Sequence, residues 1–382
     1  MSVAVISGST GLVGCEAAIY FAAQGMDVVG IDNGMGEDFF GASASSAWRR
    51  NRLAAEVPRY THYAADARDY PAISRIFARY SKDIGLVIHA PAESSHDWAT
   101  GDPLTNFSVN ASGTAVMLEA SRNFAPNAVF IFRSTSKVYG DAANALPFVE
   151  TGTRWEIESS HAYAKHGIPE SMTVDQSQHG FFGASKLAAD ILVQAYGSSF
   201  GIRTACFRSG CVSGSSPSGT QLRSLLSGLM QCTVTGEPYT VFGYGAKQVR
   251  DHIHSADLMR AFDEFFRSAG CGEVYNMGGG RHSNCSMLEA IEVCQKIAGK
   301  QLRWEYAELN RQSEPKWWIS DVSRFRNHRP EWRQAYDLPL ILNEIYECNA
   351  DRWLRMAAGS VSVPVLAAWQ SPLPGKSLKP NA

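Results

Sequence analysis

The chain has 382 residues, 45% hydrophobic and 19% charged, which is enough apolar material for one large domain or two closely joined ones. A net charge of -2 supplies no basic field to gather nucleic acid or an anionic membrane, so any bound phosphate must be held by a few local donors.

The chain opens with the apolar run Val3-Ala4-Val5-Ile6, then glycines at 8, 11 and 14, then an apolar-periodic segment (Ala17, Ala18, Phe21, Ala22). That order predicts strand, tight turn and helix. Gly8 permits the turn, Gly11 lets a pyrophosphate approach the backbone, and Gly14 lets helix and strand pack, so phosphates would rest on the positive end of a helix. A second apolar run, Val28-Val29-Gly30-Ile31, ends in Asp32, whose carboxylate can accept hydrogen bonds from an adenosine ribose and would repel a ribose phosphate. NAD rather than NADP is the cofactor expected.

The Gly-, Phe- and Ser-rich stretch 33–46 suits a loop at the adenosine end, and 48–53 a short helix. A helix is predicted over 70–80, a buried strand over 86–90, a loop at Pro91, a helix over 106–124, and over 128–132 a strand apolar on both faces. This alternation predicts an α/β fold, a Rossmann-type doubly wound parallel sheet. Over 141–179 the periodicity breaks, which predicts a functional loop. A helix over 183–196, a strand over 204–208 and later Gly-rich turns among short elements predict a smaller C-terminal α/β substrate lobe. The boundaries expected are 1–205 for the cofactor domain, 206–355 for the lobe, with interleaving allowed, and 356–382 for a tail.

Ser134-Thr135-Ser136-Lys137-Val138-Tyr139-Gly140 follows the strand at 128–132, at the sheet edge where open α/β folds bind ligands, and Phe182-Gly183-Ala184-Ser185-Lys186 opens a later helix. Together with the glycine turn, these stretches resemble the extended short-chain dehydrogenase/reductases, and within them the NAD-dependent nucleotide-sugar epimerases and dehydratases, from Val3 to about Arg324. The resemblance implies NAD contacts from Gly8, Thr10, Gly11, Leu12, Val13, Gly14, Asp32, Asn33, Asp66, Ala67, Ala90, Ala92, Asn110, Ser134 and Lys186. It implies substrate contacts from Glu93, Thr135, Lys137, Tyr139, Ser209, Gln248, Arg250 and Arg311. The two arginines would hold the diphosphate, because a guanidinium gives paired, charge-assisted hydrogen bonds.

The family's catalytic set, a Ser or Thr and a Tyr-x-x-x-Lys, falls on Thr135, Phe182 and Lys186. In the family the tyrosine takes the proton of a sugar hydroxyl while the nicotinamide takes the hydride. The lysine lowers the tyrosine's pKa and bonds the nicotinamide ribose, and the Ser/Thr hydroxyl bonds the reacting oxygen. Phe182 departs from that pattern. A phenyl ring has no titratable proton, so the chain as written is expected to bind cofactor and substrate yet turn over poorly. Two explanations keep an enzyme, a tyrosine replaced to trap a complex or a natural departure with His179 or Cys211 as base; a shift of the motif to Phe181 finds no hydroxyl either, and the alternative of another class is a non-catalytic NAD-binding sensor or scaffold.

The 4,6-dehydratases of the family carry Thr-Asp-Glu where this chain has Thr135-Ser136-Lys137, and neither Ser136 nor Lys137 can replace those acids. The resemblance therefore implies an epimerase that recycles its NAD in each turnover. Gly243-Tyr244-Gly245-Ala246-Lys247-Gln248-Val249-Arg250-Asp251 and Tyr275-Asn276-Met277-Gly278-Gly279 are similar to the CDP-paratose (CDP-tyvelose) 2-epimerase branch. A CDP-sugar is favoured, with a UDP-sugar, C4 epimerisation or another sugar-nucleotide redox step as alternatives. The run Ser209-Gly210-Cys211-Val212 lacks the family's usual Tyr-Gly and leaves the sugar open. Family precedent for a four-helix interface, here from 106–124 and 183–196, implies a homodimer.

Other residues have plainer expected roles. His89, His252 and His254 read as ordinary polar residues, Trp317-Trp318 as core or dimer packing, and Asp190 as a surface or packing residue. Eight scattered cysteines without a C-x-x-C pair read as buried reduced thiols, and no metal site is expected. Neither a signal peptide nor a membrane span is expected, and a cytoplasmic location is.

Overall fold

The structure, a computed structural model, describes residues 2–37, 45–90, 96–214, 225–308 and 314–358, without the side chains of 96–98. The apolar runs form strands β1 (Val3–Ser7), β2 (Asp27–Ile31), β3 (Tyr60–Tyr63), β4 (Ile84–His89), β5 (Val129–Thr135), β6 (Arg203–Ser209) and β7 (Glu273–Met277). They make one seven-stranded sheet in the order β7-β6-β5-β4-β1-β2-β3, parallel at every pairing. The order reverses between β1 and β4, and in such sheets the ligand crevice lies outside the carboxyl ends of the strands at that reversal.

The longer helices are α1 (Leu12–Ala23), α2 (Ala47–Glu56), α3 (Tyr70–Tyr80), α4 (Gly113–Phe124), α5 (Phe181–Phe200), α6 (Leu225–Thr235), α7 (Ser255–Arg267), α8 (Met287–Ala298) and α9 (Leu338–Ala357). One face of the sheet (Ala4, Ile6, Ile88, Ile131, Phe207) packs on α1 and α7. The other (Val5, Val29, Val87, Phe130, Phe132) packs on α3, α4 and α5. With both faces covered, polar alternation has no place to show, which is why these strands read as continuous apolar runs.

A second unit joins the strands Cys211–Ser213, Val249–His254, Asn284–Ser286 and Trp317–Trp318 to the pair Tyr239–Phe242 and Trp304–Ala307. Its core is formed by α6, α8 and α9 through Leu226, Leu229, Ile291, Ile341 and Ile345. The two units are interleaved, because α7 and β7 return to the large sheet well past residue 205. The stretch 141–179 is more than a loop: it contains the hairpin Phe148–Glu150 and Trp155–Ile157. Its Ile157, Ile168 and Met172 share a core with Trp317 and Trp318, which settles that pair as core packing. Short hairpins and single 3₁₀ turns are too brief to print a period in sequence.

Among the described residues no helix is long and apolar enough to cross a membrane, and no cluster of metal-ligating side chains occurs. The cysteines are unpaired, and Cys271 and Cys348 are exposed rather than buried as expected. The residues from 359 onward, most of the expected tail, lie outside the described residues.

A buried polar network fixes the strand ends. Asp190 Oδ2 accepts from Ser134 Oγ at 2.5 Å, and Arg208 donates to both Asp190 oxygens at 3.1 and 2.8 Å. Arg208 Nη1 also donates to the Tyr139 hydroxyl (2.8 Å), which donates to Asn276 Oδ1 (2.8 Å). Asp190, Tyr139 and Asn276 are fully buried, so Asp190 is an interior ion-pair partner and no surface residue. Removing one partner of such a pair strands the other charge, and Asp190→Ala is expected to destabilise the fold by about 3–5 kcal/mol in denaturant unfolding. A loss below about 1 kcal/mol, the range of an exposed pair, would contradict this role.

Candidate active site

The chain leaves β1 at Gly8, whose φ of 73° is a left-handed conformation that glycine adopts freely. Gly8 N donates to Ile31 O at 2.8 Å and Gly11 N to Gly8 O at 3.0 Å. Gly11 caps α1 without a side-chain hydrogen bond, and the first helical turn, Leu12 to Gly14 included, has no acid. Its amides therefore stand ready for an anion. A Cβ at Gly14 would fall 2.1 Å from Gly8 O, so only glycine allows the helix this close to the turn.

Asp32 follows β2, with Oδ2 accepting from Thr10 N (3.1 Å) and Oδ1 from Gly34 N (2.9 Å). Each oxygen keeps a lone pair for a ribose hydroxyl. Asn33 Nδ2 donates to Asp66 Oδ2 at 3.2 Å, joining the loops after β2 and β3 beside Ala67. Asp66 is also gripped by Arg68 at 2.9 and 2.6 Å, a partner that sequence reasoning missed. An uncapped helix end, a cradle that a Cβ would fill and a fixed carboxylate fit the pyrophosphate and ribose of a dinucleotide.

After β4, Ala90 N is held by Ser7 O at 3.0 Å, while Ala92 and Glu93 lie outside the described residues. His89 is a buried joint, with Nδ1 2.6 Å from Ser7 Oγ and Nε2 3.0 Å from Thr114 Oγ1. Burial, then the charge of Lys186, keeps its pKa well below the usual histidine value, so it stays neutral. Asn110 sits in the π-helical turn Ser108–Ser112 and donates to Ser185 Oγ at 3.0 Å, pinning that turn to α5. π-turns of this kind recur at functional sites.

Thr135 ends β5, half-buried, its Oγ1 accepting from Lys137 N at 3.3 Å. A Cβ on Gly183 would meet Lys137 O at 2.6 Å, and this close approach sets the start of α5, with Phe182 and Lys186, against the Thr135 segment. Lys186 is 1% exposed. Its Nζ donates to Arg133 O at 2.8 Å and lies 4.1 Å from the centre of the Phe132 ring. Burial, helped by the Arg133 charge, lowers its pKa to about 7. Phe182, one helical turn earlier, is buried and brings no hydroxyl.

Three residues expected to touch ligand turn inward instead. Ser134 Oγ is committed to Asp190, Ser209 Oγ lies 3.4 Å from Ser134 O, and the Tyr139 hydroxyl is held on both sides within the network. Their side chains position strand ends rather than line the crevice. Neither alternative base is poised. Burial raises the Cys211 thiol to about 11, and His179 Nε2 lies 2.9 Å from Val174 O while Nδ1 is covered without a partner.

Lys137 Nζ and Arg250 Nη2 each donate at 2.8 Å to one oxygen of Glu314. Burial works against that carboxylate's charge, yet the two cations hold its pKa far below the usual range. Gln248 Nε2 donates to Phe242 O at 3.0 Å and leaves a covered Oε1 without a donor. Arg250 does not pair with Asp251, whose buried Oδ2 accepts from Gly280 N (3.0 Å) and Ser320 N (2.8 Å). Arg311 lies outside the described residues. Glu314 was missed in sequence, although an acid three residues past Arg311 was there to be read. Cations spaced to share one carboxylate are also spaced to share two phosphate oxygens.

Characterised proteins resemble this chain along most of its length. A CDP-paratose 2-epimerase of Salmonella typhi is 26% identical over 330 residues, 85% of this chain and 92% of its own. In fold, a Tyr-to-Phe mutant of the UDP-glucuronic acid 4-epimerase of Bacillus cereus, in complex with UDP-4-deoxy-4-fluoro-glucuronic acid and NAD, matches with a TM-score of 0.74 at 22% identity, covering 92% of this chain and 99% of that one. The dTDP-glucose 4,6-dehydratase of Bacillus anthracis, in complex with NAD, matches at 0.72 and 18% identity over 94% of this chain and 100% of that one. The GDP-mannose 4,6 dehydratase model matches residues 5–337, and the chain belongs to that family of NAD-dependent nucleotide-sugar epimerases and dehydratases.

Proposed function

We propose that this chain binds NAD and a nucleotide-diphosphate sugar in a site built for epimerisation, a CDP-sugar by preference, and that Phe182 withholds the general base. The carrying observation is the uncapped start of α1 beside Asp32, on the same sheet edge as Thr135, Phe182 and Lys186. Bound NAD would supply a hydride acceptor and donor. The amides after Gly11 hold its pyrophosphate, Asp32 its adenosine ribose and Lys186 its nicotinamide ribose. The Thr135 hydroxyl holds the reacting sugar oxygen, and Lys137 and Arg250 exchange Glu314 for the substrate diphosphate. Ser136 and Lys137, standing where the dehydratases have acids, support an epimerase.

The Salmonella typhi relative supports a CDP-sugar. A UDP-glucuronate 4-epimerase of Thermodesulfobacterium geofontis, 25% identical over 329 residues, keeps a UDP-sugar as the alternative. Phe107 and Ile191, on the two helical stretches assigned to a dimer, and Leu104 and Phe200, just beyond them, are exposed apolar side chains, which supports a second copy as partner. Phe182 also favours a second reading, a non-catalytic NAD-binding protein.

Restoring the hydroxyl separates these readings. Phe182→Tyr is expected to raise turnover of the true CDP- or UDP-sugar by about 100-fold or more, the scale of general acid–base catalysis. No gain would remove the trapped-enzyme explanation, and a protein that binds NAD but no nucleotide sugar would be the sensor. Asp32→Ala is expected to weaken NAD by about tenfold in calorimetry, the loss of one hydrogen bond to a charged group, while NADP gains relative to NAD. Unchanged selectivity would remove Asp32 from the ribose.

Lys186 also predicts a pH signature. Its folded pKa, about 7, lies below the unfolded lysine value near 10.4. The unfolded chain therefore keeps a proton that the folded chain has lost, and the buried charge's penalty, full below about pH 7, fades as pH rises to about 10. Melting curves should show this relative gain against Lys186→Met, and parallel pH profiles would refute it.

A further inference from the structure

We propose that Arg133 reads a carboxylate on the sugar of the substrate, which narrows the proposed nucleotide sugar to an acidic one and rests on that reading. Along β5 the burial pattern leaves only Arg133 and Thr135 partly open. Standing two residues apart on a strand, they point to the same face, so Arg133 lies beside the residue assigned to the reacting oxygen.

The guanidinium of Arg133 has no hydrogen bond or ion pair among the described residues, and its Nε is covered from solvent without a partner. Other interior arginines are satisfied: Arg208 by Asp190, Arg250 by Glu314 and Arg154 by Glu289. Its neighbour Lys186 adds a second cation. The acid felt by Lys186, Asp190, is already committed to Ser134, Gln194 and Arg208. A cation with its Nε covered and no counter-charge beside it is destabilising. Its persistence at the mouth of a ligand crevice points to an anion that arrives with the ligand.

The phosphates already have their own partners. The substrate diphosphate falls to Lys137 and Arg250. The cofactor pyrophosphate belongs at the glycine turn after β1, two strands from β5 and roughly 10 Å away at ordinary strand spacing. What remains near Arg133 is the sugar ring, and a guanidinium fork matches a carboxylate's two oxygens.

The test uses the full chain with NAD and two probes, UDP-glucuronate and UDP-glucose, which differ in a carboxylate against a hydroxymethyl. Calorimetry should show UDP-glucuronate bound about tenfold more tightly, with Arg133→Met abolishing the preference while UDP-glucose affinity stays within about twofold, and Arg133→Lys keeping part of it. Arg133→Met should also melt at a higher temperature, because an uncompensated charge is gone. Equal affinities in the parent, a preference surviving in Arg133→Met, or a lower melting temperature would overturn the proposal. Loss of NAD affinity in Arg133→Met with the preference intact would assign the charge to the cofactor and overturn it too. Binding of both probes without preference sinks this proposal alone, whereas failure of both probes and of CDP-glucose to bind sinks the nucleotide-sugar reading with it.

Discussion

Asp190 and Arg208 meet in the dry layer between α5 and the sheet, and the geometry of the site depends on that meeting. An ion pair removed from water is tolerable only when every remaining donor and acceptor is met. Here Ser134, Gln194 and the Tyr139 hydroxyl complete the shell. Because Ser134 is tied down on one face of β5, its neighbours Arg133 and Thr135 are fixed on the other. Tyr139 passes the constraint to Asn276, whose Nδ2 donates to Ile168 O at 2.8 Å. One network thus sets the catalytic strand, the start of the second unit and the last strand of the sheet in a common frame.

The charges around the crevice follow one logic. Helix α1 offers amides without a capping side chain, Lys137 and Arg250 hold Glu314, and Arg133 holds nothing among the described residues. On the proposed reading, a nucleotide sugar entering this site would trade one anion for another at the middle position. The Lys137 and Arg250 charges are thereby kept compensated in both states, and the net gain on binding is the difference between two ion clusters. At Arg133 no exchange is needed, so a ligand charge arriving there keeps more of its interaction. Discrimination between sugars therefore falls to Arg133 rather than to the diphosphate cations.

The glycine turn, Asp32 and the Thr135 and Lys186 positions were legible because each is a local pattern, in which spacing alone sets backbone conformation. Asp190 was not, since its partner Ser134 lies 56 residues away. Glu314 was hidden for the same reason, 177 residues from Lys137. Polar pairs across such separations leave no periodicity, and each member alone reads as a surface charge. Tyr139 misled in the opposite sense. It stands in a stretch that does approach the site, but the 3₁₀ turn Ser136–Tyr139 and the reach of Arg208 turn its hydroxyl into the interior. The stretch 141–179 looked like a loop because its order is tertiary: Ile157, Ile168 and Met172 are held by Trp317 and Trp318 rather than by any repeat of their own.

A tyrosine at position 182 would add one hydroxyl to the ring. The phenyl ring has the outline of a tyrosine's and lacks only the titratable group. Lys186, one turn further along α5, is held by a carbonyl rather than a carboxylate, and burial together with Arg133 brings its pKa down to about 7. An ammonium so weakly compensated is well placed to share a developing oxyanion's charge once a hydroxyl relays between them. Without that relay it can still bond a ribose. On the proposed reading, Phe182 would leave the grip on cofactor and sugar in place and withhold the atom through which a proton would leave.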